Sequence, residues 1–351
     1  MATSGTVSTT VFETRKLLEH AYRRVGIAPE QLSPDRVQTA LDLLYLRLSA
    51  LVNDGTALWA LQREILPIYP AEQSVLTPVG TVEVLNCNLR KVQRMEGTNS
   101  SSEGTADNAF DGDLETECTQ VTDGGWIQVQ FESATRIPIF GILPNATGTW
   151  EISLQGSNDG ISFTTFYTNA VFEAADGEWF WFDIEGMKEW TYIRLQAAAG
   201  TTLDVIEFFV GNRPNEIPLA LVNRDNYENL PDKVFLGRPT EFWYDRQRVQ
   251  PVITLWPAPA AEYTFYQIAA RVYRHIEDVG TMVQEVEVPQ RWYLPIMCRL
   301  AADVGLEDKE AVPEKVTLAL AEADREWARA WKGESDSAPT YLTPNIGPYT
   351  R

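Results

Sequence analysis

The feature that most constrains this chain is the position of its acidic residues. Between Met95 and Asn212 lie 19 acidic residues and three basic ones, Arg136, Lys188 and Arg194, whereas the rest of the 351 residues holds 30 acidic against 26 basic. Most of the net charge of −20 therefore belongs to one internal third of the chain. A charge discontinuity at both edges of an internal segment marks a separate module inserted into another body. The same segment is punctuated as all-β. Short aromatic or β-branched runs at 126–131, 137–142, 150–156, 164–168, 178–184, 192–197 and 205–210 alternate with turn residues, the pattern of a sandwich.

The flanks read differently. Residues 10–26 predict a helix, with Thr10 and Glu13 as a capping box, Leu17, Leu18, Ala21, Tyr22 and Val25 at helical spacing, and Gly26 as a stop. Residues 33–53 predict a second, with Ser33 as N-cap, Pro34 at the first position, and Val37, Ala40, Leu41, Leu44, Leu48 and Leu51 on one stripe. At the other end, 290–305 and 313–332 predict two more, the last with Val316, Leu320, Ala323, Trp327 and Trp331 on one face. Packed together, these would close a four-helix body from both chain ends. Residues 62–94 and 221–288 read as extended, with short strands at 242–244, 252–256, 263–272 and 283–288 and a turn at Asp225-Asn226. Arg238, Trp243, Arg246 and Arg248 either rim that β core or form a contact surface for another protein subunit, because Arg and aromatics are enriched at interface cores. Residues 333–351 hold three Pro and two Gly with isolated Tyr341, Leu342, Ile346 and Tyr349. They read as an extended docking arm or as a loose terminus.

Several function classes are excluded by what is missing. Two histidines leave no His-based triad and no multi-His metal site, and three widely spaced cysteines without a CxxC argue for a reducing compartment. No GxSxG, HExxH, Walker A or GxGxxG occurs, so no enzyme is expected. No run of about 18 apolar residues predicts a membrane span, and the polar start MATSGTVSTT is no signal peptide. Without a basic stripe the chain is not expected to grip DNA by counterion release.

Two resemblances add to this reading. The strings GRPTEFWYDRQ (237–247) and PVITLWPAP (251–259), with Asn223-Arg224-Asp225-Asn226-Tyr227 upstream and Ala21-Tyr22-Arg23-Arg24-Val25-Gly26-Ile27 near the start, resemble the head-to-tail adaptor proteins of short-tailed bacteriophages, also called packaged-DNA stabilisation proteins. That resemblance implies a structural virion protein at the head–tail junction, assembled in the host bacterial cytoplasm. It implies a ring of about twelve copies beneath the portal, carrying the tail or nozzle proteins and passing double-stranded DNA without sequence-specific binding. The arm residues Tyr341, Leu342, Ile346 and Tyr349 would then reach the portal.

Within the acidic segment, Ala109-Phe110-Asp111-Gly112-Asp113-Leu114-Glu115-Thr116, Gly125–Phe131, Ser153–Gly160, Tyr192-Ile193-Arg194-Leu195 and Ile206–Gly211 resemble, in order and spacing, the discoidin or coagulation factor 5/8 type C family of galactose-binding-like jelly rolls. Where that family places an aromatic, two residues after the Thr, this chain has Cys118. The resemblance implies two ligands. A structural calcium ion would sit beside Asp111, Asp113, Thr116 and Glu207, hard oxygen donors from a tight turn and the last strand; the alternative is a turn closed by Asx-type hydrogen bonds. A glycan would stack on loop aromatics, for which Trp150, Trp179, Trp181 and Trp190 are available; the alternative places them in the core, since Trp179 to Phe182 alternate along a strand. The expected architecture is α+β and multidomain: a helical-bundle adaptor core with a β extension (1–94 and 213–332), an inserted all-β jelly-roll sandwich (95–212) and an arm (333–351). The rival function is a carbohydrate-binding protein, or the accessory module of a glycan-acting tail enzyme.

Overall fold

The structure, a computed structural model, describes residues 12–53, 58–121, 124–198, 200–248 and 250–334. Contacts divide the chain into two compact units, residues 1–62 with 273–351 and residues 63–272. The arm residues Tyr341, Leu342, Ile346 and Tyr349 and the cap residue Thr10 lie outside the described residues.

The first unit is helical. Helices Thr14–Arg24, Pro34–Asn53, Gln290–Glu307 and Pro313–Gly333 bury Leu17, Leu18, Ala21 and Tyr22 from the first, Ala40, Leu44, Leu48 and Leu51 from the second, and Trp292, Ile296, Leu300 and Ala301 from the third. The first helix buries the stripe its spacing predicts; on the second, Val37 and Leu41 are only half-buried, and on the last Val316 and Ala323 are buried while Trp331 is exposed, with Ala319, Glu326 and Ala330 turned inward instead. Gly305 lets the last two helices cross closely, because a Cβ there would stand 2.8 Å from Val316 and 2.9 Å from Val25. Ser33 caps the second helix by accepting from the Arg36 N–H at 3.3 Å. Two carboxylates near the end of the third helix tie the second to it. Arg36 grips Asp308 with two N–H donors at 2.7 and 3.1 Å, and Arg47 reaches Asp303 at 2.6 Å.

Two expectations fail here for a shared reason. No strand forms at 283–288; that segment lies against the start of the first helix, with an isolated bridge between Glu13 and Glu285. The Gln284 carbonyl and that of the preceding Met282 take orphan N–H groups of the first turn, Thr14 N–H to Gln284 O and Arg15 N–H to Met282 O, both at 3.0 Å. Glu13, the N-cap, makes no side-chain capping bond.

The second unit is β. One sheet runs, in order, Leu61–Pro67, Tyr266–Arg274, Thr81–Arg94, Leu203–Pro218, Ile139–Pro144 and Phe180–Asp183, with Cys118–Val121 paired to one side of Leu203–Pro218. A five-stranded antiparallel sheet, Thr98–Ser101, Trp126–Arg136, Glu189–Ala197, Gly148–Ser157 and Thr164–Ala174, is the opposing layer. Ile127, Val129, Ile152, Leu154, Ile193 and Leu195 from one layer meet Phe140, Ile142, Phe208 and Val210 from the other in one buried cluster. At 25 cal/mol per Å², each such side chain contributes about 1.5–3 kcal/mol of transfer free energy. This is a mostly-β, jelly-roll-like sandwich.

Two long strands carry the chain into and out of the sandwich. Gly211 pairs with Arg94, and the ladder continues to Pro218 opposite Asn88. By contact the remaining β region therefore groups with the sandwich and not with the helices. That region includes a sheet of Ala220–Val222, Glu241–Asp245, Val252–Trp256 and Ser74–Leu76 over Phe242, Tyr244, Ile253 and Leu255. The turn expected at Asp225-Asn226 is instead a short helix, Arg224–Glu228. Asn223 caps it by accepting the Asn226 N–H at 2.7 Å, so the same polar residues serve helix initiation in place of a turn.

Candidate functional site

The Asp111–Thr116 loop is closed by its own hydrogen bonds. Asp111 accepts the Asp113 N–H at 2.8 Å on one oxygen and the Thr116 hydroxyl at 2.9 Å on the other. Asp113 accepts the Glu115 N–H at 3.0 Å. Glu207, fully buried on the last strand, accepts the Gly112 N–H at 3.0 Å and pairs with the Arg94 guanidinium. Burial pushes the Glu207 carboxyl up to about 7, against the pull of Arg94 and the Gly112 N–H. Arg94 also lies 5.6 Å from the centroids of both Phe209 and Phe265. The sequence brings Asp111, Asp113, Thr116 and Glu207 together as expected. Both Asp111 oxygens and one Asp113 oxygen nevertheless accept bonds within the turn, and the Arg94 guanidinium takes the place beside Glu207 that a cation would occupy. The donor set does not fit calcium. Among the described residues no group of three or more His, Cys, Asp and Glu side chains is placed to hold a metal.

Three of the four candidate aromatics are buried. Trp150 packs on Phe172 with ring centroids 5.7 Å apart in the sandwich core. Trp179 and Trp181 stack on each other at 4.6 Å and meet Phe265 and Phe209 edge-on in a second cluster. Trp190 is half-buried against the sandwich core, over Gly156. The alternation seen in the sequence is thus core packing. Trp181 and Trp190 are moreover packed directly on the backbone of Gly141 and Gly156.

Of the Arg and aromatic set, Trp243 stacks on Tyr227 at 5.3 Å and Arg246 pairs with Glu83 at 2.8 Å, while Arg238 and Arg248 are exposed.

The residues that sequence reasoning did not single out lie on the solvent face of the five-stranded sheet. Register places Ser100, Gln128, Arg194, Gln155 and Thr165 opposite one another in a single row across all five strands. One step along, Trp126, Gln196, Ser153 and Thr168 form the next row. One step the other way lie Thr98, Gln130, Tyr192 and the buried Ser157. Arg194 donates from Nε to Gln155 at 2.8 Å and from Nη2 to Gln196 at 3.2 Å, and its guanidinium lies 3.6 Å from the centroid of Phe163. The available signal was the period-2 alternation WIQVQ, SLQG and YIRLQ, whose polar positions share one face only once the strands are in register.

Residues 95–207 match the F5/8 type C domain family. No curated protein matches the chain. Similar solved structures include chitosan-binding module 1 from a chitosanase/glucanase of Paenibacillus sp. IK-5, 24% identical over 34% of this chain and 97% of that one, with a TM-score of 0.29. Others are the family 32 carbohydrate-binding module of C. perfringens NanJ in complex with galactose, 16% identical over 33% of this chain and 93% of that one (TM-score 0.29), and the family 32 module of AlyQ in complex with 4,5-unsaturated mannuronic acid, 17% identical over 34% and 98% (TM-score 0.31).

Proposed function

We propose that residues 95–212 are a non-catalytic glycan-binding module carried by the rest of the chain. The observation that carries this reading is the F5/8 type C match over a sandwich whose two layers and core are complete. Sugar binding is a property that resemblance implies. The test is a glycan array probed with the intact protein. Binding to a defined set of glycans is the expected result, and silence across the array would overturn it.

A second reading concerns the carrier. The strings that resemble phage head-to-tail adaptors fold as adjacent paired strands, Phe242↔Leu255 and Tyr244↔Ile253, and helices from both chain ends share one unit. It is the resemblance of those strings that supports a structural virion protein that assembles as a ring on the portal and displays the module. The test is the mass of the purified protein, alone and mixed with the portal of the same virus. A ring or co-complex of about twelve copies is expected; a monomer that ignores the portal would overturn the adaptor reading and leave the glycan-binding one standing.

A further inference from the structure

The solvent face of the five-stranded sheet is chemically unlike the rest of the module. The segment 95–212 carries 19 acidic residues, yet the strand positions in the three adjacent rows centred on Ser100, Gln128, Arg194, Gln155 and Thr165 hold no carboxylate and a single charged group, Arg194; the nearest acid is Asp159, in the turn that follows Ser157 and accepting from its hydroxyl at 2.8 Å. Neighbouring outward positions on the same strands do carry acid: Glu132, Glu151, Glu173 and Glu189 are all exposed. A sheet face that merely meets water needs no such exclusion.

We infer that this face is a binding platform for a neutral saccharide chain, laid across the strands along the central row. The inference rests on the glycan-binding reading of the module. Gln amides and Ser or Thr hydroxyls both donate and accept, as sugar hydroxyls do, and a guanidinium has five donors, of which the bonds to Gln155 and Gln196 use two. Those bonds and the Phe163 ring stacked on the guanidinium fix Arg194 in place, so little side-chain freedom is left to lose on binding. Trp126, half-buried in a flanking row, adds an aromatic side chain for the C–H surface of a sugar; the Tyr192 ring in the other row lies against Gly160. At about 4.8 Å between strands, five positions span about 19 Å, enough for a short oligosaccharide. The net charge of −16 on 95–212 opposes anionic polymers, so uronate chains and nucleic acids are disfavoured.

The experiment uses the full chain. An array of neutral β-linked hexose oligomers, N-acetylhexosamine oligomers and oligogalacturonates identifies the best binder, and titration calorimetry then compares Arg194→Ala and Gln155→Glu with the parent. Gln155→Glu keeps the size of the side chain and offers Arg194 an ion pair, so it retains the fold if Arg194→Ala does not. The expected result is a neutral oligomer bound by the parent and weakened tenfold or more in both variants, with thermal melts close to the parent's. Unchanged affinity in the folded variants would overturn the platform and leave a glycan site elsewhere on the module. Preference for oligogalacturonate would overturn the neutral class. No binding by the parent would overturn the platform together with the reading it rests on.

Discussion

Arg94 is a residue whose role no sequence pattern announced. It is the last residue of the strand that enters the sandwich, and it supplies the positive charge to a loop that resembles a calcium site. Replacing Arg94 by Met keeps bulk and removes charge, leaving Glu207 buried and unpaired, at a cost of about 3–5 kcal/mol near neutral pH. A folded-state pKa raised to about 7 means that the fold binds this proton more tightly than the unfolded chain does. Arg94 is one of the groups that lower that pKa, so in Arg94→Met it lies above the parent's; the difference between the two proteins therefore grows as pH rises through about 7, and the Arg94→Met melt should approach the parent's as pH falls below that value. Calcium at millimolar concentration, or EDTA, should leave the parent's melting temperature unchanged in differential scanning fluorimetry; a calcium-dependent rise would show that the ion displaces Arg94. The donor residues of this loop were legible from Asp111-Gly112-Asp113 and Glu207. Their occupant was not, because Arg94 is 113 residues from Glu207 and meets it only through strand pairing.

At the scale of elements, the sandwich strands and the helical stripes were readable because burial on one face imposes a period of two or 3.6 on any chain. What the periods could not say is which aromatics face inward. Trp181 sits directly on the backbone of Gly141, where a Cβ would come within 2.4 Å of its ring. Gly141→Ala should therefore destabilise the sandwich by about 1–3 kcal/mol, measured by chemical denaturation followed through tryptophan fluorescence. The strand expected at 283–288 failed because the Gln284 carbonyl serves the first helix instead. In the same segment Glu287 is held below the usual carboxylate range, first by the hydrogen bonds from Arg274 and also by the Glu277 N–H, against the effect of burial. A depressed folded-state pKa gives stability that is present above about pH 4 and is lost as pH falls through the folded value. Helical content followed by circular dichroism should show Glu287→Gln to be less stable than the parent at pH 7, with the difference narrowing below pH 4; a pH-independent difference would remove the ion pair from the account.

For the whole molecule, the ladder in which Gly211 pairs with Arg94 and Asn212 with Gln93 makes the sandwich an excursion from an existing antiparallel pair. Replacing residues 95–210 by a two-residue Asn-Gly turn should give a chain that still melts cooperatively, with helical content retained, because that turn suits a hairpin. Loss of the cooperative transition would show that the carrier depends on the sandwich for folding. Phe265, Ile65 and Tyr69, which pack against Trp179 and Phe209, would lose that cover, so the shortened chain should be less soluble than the parent. The sequence by itself determined the existence of an internal β module, its edges in charge, the helices at both ends and the residues of the Asp111 loop, because each of these is written in local spacing or composition. Only the tertiary structure decided that Arg94 neutralises Glu207, that Trp150, Trp179 and Trp181 are core, and that Gln128, Arg194 and Gln155 share one row. Those facts depend on pairing between residues distant in sequence, and a chain read one residue at a time carries no register.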